Sequence, residues 1–155
     1  MAQEIHISCR GIAVVLLKRF GDEFRVLLMK RATPTMRGMW CYVGGGIEQG
    51  EKATQAAMRE IREETGLTRV ALYISNTFEQ FYSVRRDDIY MAPVFVGYVD
   101  EEEAVVLNYE HSEFAWLSFS EARERVSLPG NEEVLEHVEK YFAKRQPLRE
   151  LCVTE

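Results

Sequence analysis

The chain of 155 residues carries 25 acidic and 19 basic side chains, a formal net charge of −6, with 46% hydrophobic and 28% charged residues. These values suit one globular domain with a real core and exclude a disordered, fibrous or collagen-like chain. The acidic balance argues against non-specific binding to nucleic acid or anionic membrane, so a phosphate-bearing ligand must be met by local cations or by a metal.

Ile12 to Leu17 is the longest apolar run, far below the roughly 20 residues of a membrane helix. Met1-Ala2-Gln3-Glu4 does not open a secretory signal, and a cytoplasmic location is the expectation. Cys9, Cys41 and Cys152 are scattered, without a CxxC pair, and read as reduced and structural.

Residues 5–19 and 24–31 are rich in Val, Ile and Leu and predict two strands joined tightly at Gly21-Asp22-Glu23. The stretch 32–39, with Thr33-Pro34 and Gly38, predicts a loop, followed by a short strand over 41–43. Gly44, Gly45 and Gly46 are expected to break that strand into a sharp loop. From Glu51 to Glu64 good helix formers dominate, Ala53, Ala57 and Ile61 recur every four residues, and Gly66 is a C-terminal cap. Residues 69–85 and 88–99 predict a long hairpin in which Pro93 marks an edge or a bulge.

After the acidic run 100–103 come Val105-Val106-Leu107 and Phe114-Ala115-Trp116-Leu117, then Ser118 or Ser120 capping a helix through Val126. A last helix over 131–143 puts Val134, Val138, Tyr141 and Phe142 on one stripe. No compositional break divides the chain, so a single domain over residues 1–146 with a loose C-terminal tail over 147–155 is expected.

The informative segment joins the glycines to an acidic helix. On that helix Glu60, Glu63 and Glu64 stand three and four residues apart, so their carboxylates can point towards one volume. Like charges so placed repel by a few tenths of a kcal/mol per exposed pair, and a divalent cation is the natural neutraliser. Hard oxygen ligands with room for water suit Mg²⁺, with Mn²⁺ as the alternative.

Gly45, Glu51, Arg59, Glu60, Ile61, Glu63, Glu64, Gly66 and Leu67 fill every fixed position of the pattern G-x5-E-x7-R-E-U-x-E-E-x-G-U, where U is aliphatic. This segment resembles the box of the Nudix hydrolases, and the order of strand, loop and helix around it resembles that family too; Glu110-His111 followed by Phe114-Ala115-Trp116-Leu117 looks like the corresponding stretch of bacterial dATP and dihydroneopterin triphosphate pyrophosphohydrolases. The bland alternative is an acidic surface helix.

The resemblance implies an α/β fold, a Nudix-type α/β/α sandwich with a mixed curved sheet between helices. It also implies metal-assisted hydrolysis of a pyrophosphate bond in a nucleoside triphosphate or related nucleoside diphosphate derivative, releasing a monophosphate and pyrophosphate. Dinucleoside polyphosphate or nucleotide-sugar hydrolysis, or non-catalytic nucleotide binding, are the rival readings. The metal ligands implied are Glu60, Glu63 and Glu64, the carbonyl of Gly44 or Gly45, and a later-loop acid, Glu110 with Glu113 as rival; Glu60 or a downstream glutamate is the implied base. Arg59 is expected to orient the helix by pairing with Glu51.

Lys30, Arg31 and Arg37 are the candidates for holding substrate phosphates, and Trp40, Phe78, Phe81, Tyr82 and Arg85 for contact with a base, with ordinary packing as the alternative for the aromatics. His111 is either a proton carrier or a surface residue. A homodimer is common among such hydrolases, although no exposed apolar patch is readable in the sequence.

Overall fold

The structure is a computed structural model that describes residues 1–154. Its centre is an eight-stranded mixed sheet built from β1 (His6–Ser8), β2 (Gly11–Phe20), β3 (Glu23–Arg31), β4 (Trp40–Cys41), β5 (Val43–Gly46), β6 (Val70–Ser83), β7 (Asp88–Val99) and β8 (His111–Leu117). The helices are α1 (Ala53–Thr65), α2 (Phe119–Arg125) and α3 (Asn131–Val138). The expected first strand is interrupted at Cys9 and Arg10, and its two parts, β1 and β2, both run parallel to β7.

β2 is apolar without alternation because both of its faces are covered. Ile12, Val14 and Leu16 pack with Ala56, Ala57 and Ile61 of α1, whereas Ala13, Val15 and Leu17 pack with Leu135 and Val138 of α3 and with Phe142. The α/β/α layering follows from that alternation. Ile61 is fully buried, a contribution of about 2 kcal/mol to docking α1.

β2 and β3 pair only near their turn, over Leu17–Phe20 and Glu23–Val26. Beyond it they part, and the segment 40–46 fills the gap: β5 pairs with β2 and β4 with β3. Gly44, Gly45 and Gly46 are therefore strand residues opposite Ala13, Ile12 and Gly11, not a sharp loop. Their backbone angles are not left-handed, so glycine serves here for space rather than for conformational freedom.

α1 begins at Ala53, with the Lys52 N–H donating to Gln55 Oε1, so Glu51 precedes the helix. It ends as expected at Gly66, which is left-handed at φ 74°. Ser118, not Ser120, caps α2, exchanging hydrogen bonds with Glu121. The last helix is not uniform: α3 widens into a π-turn over Glu139–Ala143. Its buried stripe is Val134, Leu135, Val138 and Phe142, while Tyr141 is exposed against His137 and Arg145. β6 carries a register shift between Ile74 and Thr77, beside the Pro93–Phe78 pair of the hairpin. The tail is not loose. Cys152 bridges Tyr73 of β6, and the Val153 N–H donates to the Leu72 carbonyl at 2.8 Å.

Candidate metal centre and adjoining cleft

α1 and β5 meet face to face, and β8 brings a loop to their end. Glu64, in the last turn of α1, is 3% exposed and accepts a long hydrogen bond from the Gly44 N–H at 3.4 Å. Burial, then the Glu60 and Glu110 carboxylates, push its carboxyl up to about 9. Glu60 is also raised, first by burial, with the Arg59 guanidinium opposing. An ideal β-carbon on Gly45 would overlap the Glu60 carboxyl group, so the bare strand is what admits that side chain.

Arg59 organises the other side of the helix. Its Nε and Nη2 donate to the two oxygens of Glu51 at 2.8 and 2.9 Å, Nη1 to Glu60 at 2.8 Å and Glu63 at 3.2 Å, and Nη2 also to the Gly46 carbonyl at 2.9 Å. The expected Glu51–Arg59 pair is present, reached from the loop before α1 rather than along two helical turns. The same hydrogen bonds hold Glu51 down at about 2. Glu63 is exposed at the rim.

Of the two loop acids, Glu110 belongs to the site and Glu113 does not. An oxygen of Glu64, an oxygen of Glu110 and a ring nitrogen of His111 all lie within 4.8 Å of one another. Glu113 points to Lys30 across the β3–β8 ladder, at 3.1 Å. His111 is buried at 4% exposure, not a surface residue, and burial lowers its pKa. Cys41 Sγ lies 3.8 Å from His111 Nε2, and burial pushes that thiol up to about 11.

A cleft of about 130 Å³ adjoins the acids, reaching from Gly44 and Glu64 to Arg31, Trp40, Leu128 and Asn131. At its wall the Tyr42 hydroxyl donates to Glu79 Oε1 at 2.7 Å, and Asn131 Nδ2 donates to both Tyr42 and Glu79 at 2.9 and 3.0 Å. No sequence signal marks this network, because its members lie on β6, α3 and the segment between β4 and β5.

Arg31 lines the cleft, held by the Thr35 carbonyl at 2.9 Å and the Thr33 hydroxyl at 3.2 Å. Arg37 is exposed on the 32–39 loop. Trp40 is in the cleft with the Arg125 guanidinium 5.0 Å from its ring centroid. The other proposed aromatics are elsewhere on the hairpin: Phe81 stacks on Tyr90, the Tyr82 hydroxyl donates to Asp87, and Phe78 is about half exposed, at 49%.

The donor set fits a divalent cation. Carboxylates gather in a buried place, among the described residues no ion pair neutralises Glu64 or Glu110, and the imidazole beside them has a buried nitrogen without a partner.

The NUDIX domain family matches residues 9–138. An octanoyltransferase of Myxococcus xanthus is 33% identical over 129 residues, 81% of this chain but 35% of that protein. The nucleoside triphosphatase NudI of Escherichia coli is 32% identical over 87 residues, 52% of this chain and 62% of NudI. The chain thus spans between about a third and two thirds of the length of these relatives. Among solved structures, a C. elegans Ap4A hydrolase binary complex superposes with a TM-score of 0.74 at 18% identity, covering 86% of this chain and 96% of the other. The E. coli dihydroneopterin triphosphate pyrophosphohydrolase does so with a TM-score of 0.70 at 24% identity, covering 86% and 96%. These likenesses establish the shared fold, and with the match over residues 9–138 the chain belongs to the NUDIX family.

Proposed function

We propose that the protein is a divalent-metal-dependent hydrolase of a phosphoanhydride bond in a nucleoside triphosphate or related nucleoside diphosphate derivative, releasing a monophosphate and pyrophosphate. The observation that carries this reading is the convergence of Glu64, Glu60 and Glu110 beside a cleft that also holds Arg31. The names of NudI and of the pterin triphosphate pyrophosphohydrolase support it.

Glu60, Glu63, Glu64 and Glu110, with the carbonyl of Gly44 or Gly45, would hold Mg²⁺ or Mn²⁺. A bound ion neutralises the anhydride's charge and lowers the pKa of water in its shell. Arg59 fixes Glu60 and Glu51 so that the acids keep one geometry. Arg31 meets a phosphate group as a fork donor, and the cleft between Trp40 and Asn131 receives the base. Lys30 is less suited, being paired with Glu113. On this reading residues 1–146 form the catalytic domain and 147–155 the tail, which docks on β6 through Cys152 and Val153.

The test is release of phosphate and pyrophosphate from a panel of nucleoside triphosphates, dinucleoside polyphosphates and nucleotide sugars, with Mg²⁺, Mn²⁺ or EDTA. Pyrophosphate release from triphosphates, abolished by EDTA and by Glu64→Gln, is expected. Turnover confined to dinucleoside polyphosphates, the substrate in the name of the C. elegans neighbour, would replace the substrate class; no turnover at all would refute the hydrolase.

A further inference from the structure

His111 opens β8 directly after Glu110 and is 4% exposed. Among the described residues, neither ring nitrogen is engaged by an oxygen. Nδ1 is buried with no hydrogen-bond partner among the described residues, and Nε2 has the Cys41 sulfur at 3.8 Å. Leaving a buried donor or acceptor unpaired costs roughly 1–3 kcal/mol, so a buried imidazole in this state is either a defect or a ligand held ready. Its position decides between them, because one ring nitrogen shares a volume with oxygens of Glu64 and Glu110, all within 4.8 Å of one another.

We infer that His111 is a nitrogen ligand, completing with Glu64 and Glu110 a set of two carboxylates and one imidazole that favours Mn²⁺ or another transition ion over Mg²⁺. The inference rests on the reading that this place binds a divalent ion. Magnesium is a hard ion that prefers oxygen and keeps several waters, whereas imidazole suits the first-row transition ions. A nitrogen donor beside two carboxylates therefore shifts the site along the Irving–Williams order without adding charge. The backbone supports the placement: the Glu110 carbonyl accepts from the Ala32 N–H at 2.8 Å, and Arg31 pairs with His111 in the β3–β8 ladder, so the Glu110–His111 pair is fixed to β3 and does not swing with the loop.

The experiment is Mn²⁺ titration of the full chain without nucleotide, following free Mn²⁺ by electron paramagnetic resonance and bound Mn²⁺ by electron spin echo envelope modulation. The expected result is modulation from a directly coordinated ¹⁴N, replaced by a ¹⁵N pattern in protein grown with ¹⁵N-histidine. His111→Asn should still bind Mn²⁺, without nitrogen modulation and about tenfold or more weakly, while its Mg²⁺ affinity, read by competition, falls far less.

Bound Mn²⁺ without nitrogen modulation in the wild type, or an unchanged Mn²⁺/Mg²⁺ ratio in His111→Asn, overturns the inference and leaves a carboxylate site standing. Absence of Mn²⁺ binding overturns it together with the metal reading. Should His111→Asn fail to fold, the isotope comparison in the wild type decides alone.

Discussion

The carboxyl group of Glu60 occupies the space that a β-carbon on Gly45 would need. The strand thus passes so close to the Glu60 side chain that a methyl group at residue 45 would meet its carboxyl group, and the clash would fall on the end of a flexible side chain. Gly45→Ala is expected to displace Glu60 with less than about 1 kcal/mol change in stability but to lower kcat/KM by about a hundredfold. Steady-state kinetics beside thermal denaturation in EDTA checks both halves, and a large loss of stability would place the role of Gly45 in folding instead.

Arg59 donates in parallel to both oxygens of Glu51, and further to Glu60, Glu63 and the Gly46 carbonyl. Lysine keeps the charge and loses the fork. Arg59→Lys should therefore destabilise by about 1–2 kcal/mol in urea unfolding and slow turnover by about tenfold or more as Glu60 is released. Equal stability and rate would mean that charge alone is needed there.

Glu64 has a carboxyl raised to about 9 by burial and by Glu60 and Glu110, against an ordinary value of 4.5. In the absence of metal the folded state keeps its proton where the unfolded chain has lost it, so stability must fall as pH rises between about 4.5 and 9. In EDTA, Tm should decline across that window. Glu64→Gln, which carries no proton to lose, should flatten the decline, and saturating Mn²⁺ should reverse it because the ion binds the carboxylate form. A metal-free Tm that rises from pH 5 to pH 9 in the wild type alone would contradict the burial of this group as a neutral acid.

Glu79 lines the cleft, uses Oε1 to accept from Tyr42 and Asn131, and has no partner on Oε2 among the described residues. A free carboxylate oxygen suits a base edge that presents N–H donors, as guanine and pterin rings do and adenine does so less. Triphosphates of the donor-rich kind should be preferred about tenfold or more in kcat/KM, and Glu79→Gln should narrow that ratio without altering metal affinity. A ratio unmoved by Glu79→Gln would remove the cleft from base recognition.

Much of the site was legible because its signals are local. The glycines, Arg59, the spaced glutamates and Gly66 follow one another in the chain, and helix periodicity alone brings the acids to one end of α1. Glu110 is readable only through the resemblance, as the later-loop acid in the stretch that runs on to Phe114-Ala115-Trp116-Leu117. What escaped depends on pairing between distant segments. Gly44–Gly46 look like a loop until β2 supplies partners; the network of Tyr42, Glu79 and Asn131 spans 89 residues of sequence. The burial of His111 is set by β3, and the docking of the tail by β6. The widening of the chain after α3 has no local cue either, since residues 131–143 keep helical periodicity throughout.

The segment 40–46, inserted where β2 and β3 separate, carries Trp40, Cys41 and Tyr42 on the cleft and Gly44 and Gly45 against the acids. Both halves of the site hang from a single short tongue whose middle residue, Val43, is fully buried. A substitution that tilts the tongue must therefore retune ligand fit and acid geometry together, and neither can drift alone. The side chains of Met36 and Met39, on the rim of the cleft, take no part in that pairing, so variation in which ligand is chosen has its freest ground there.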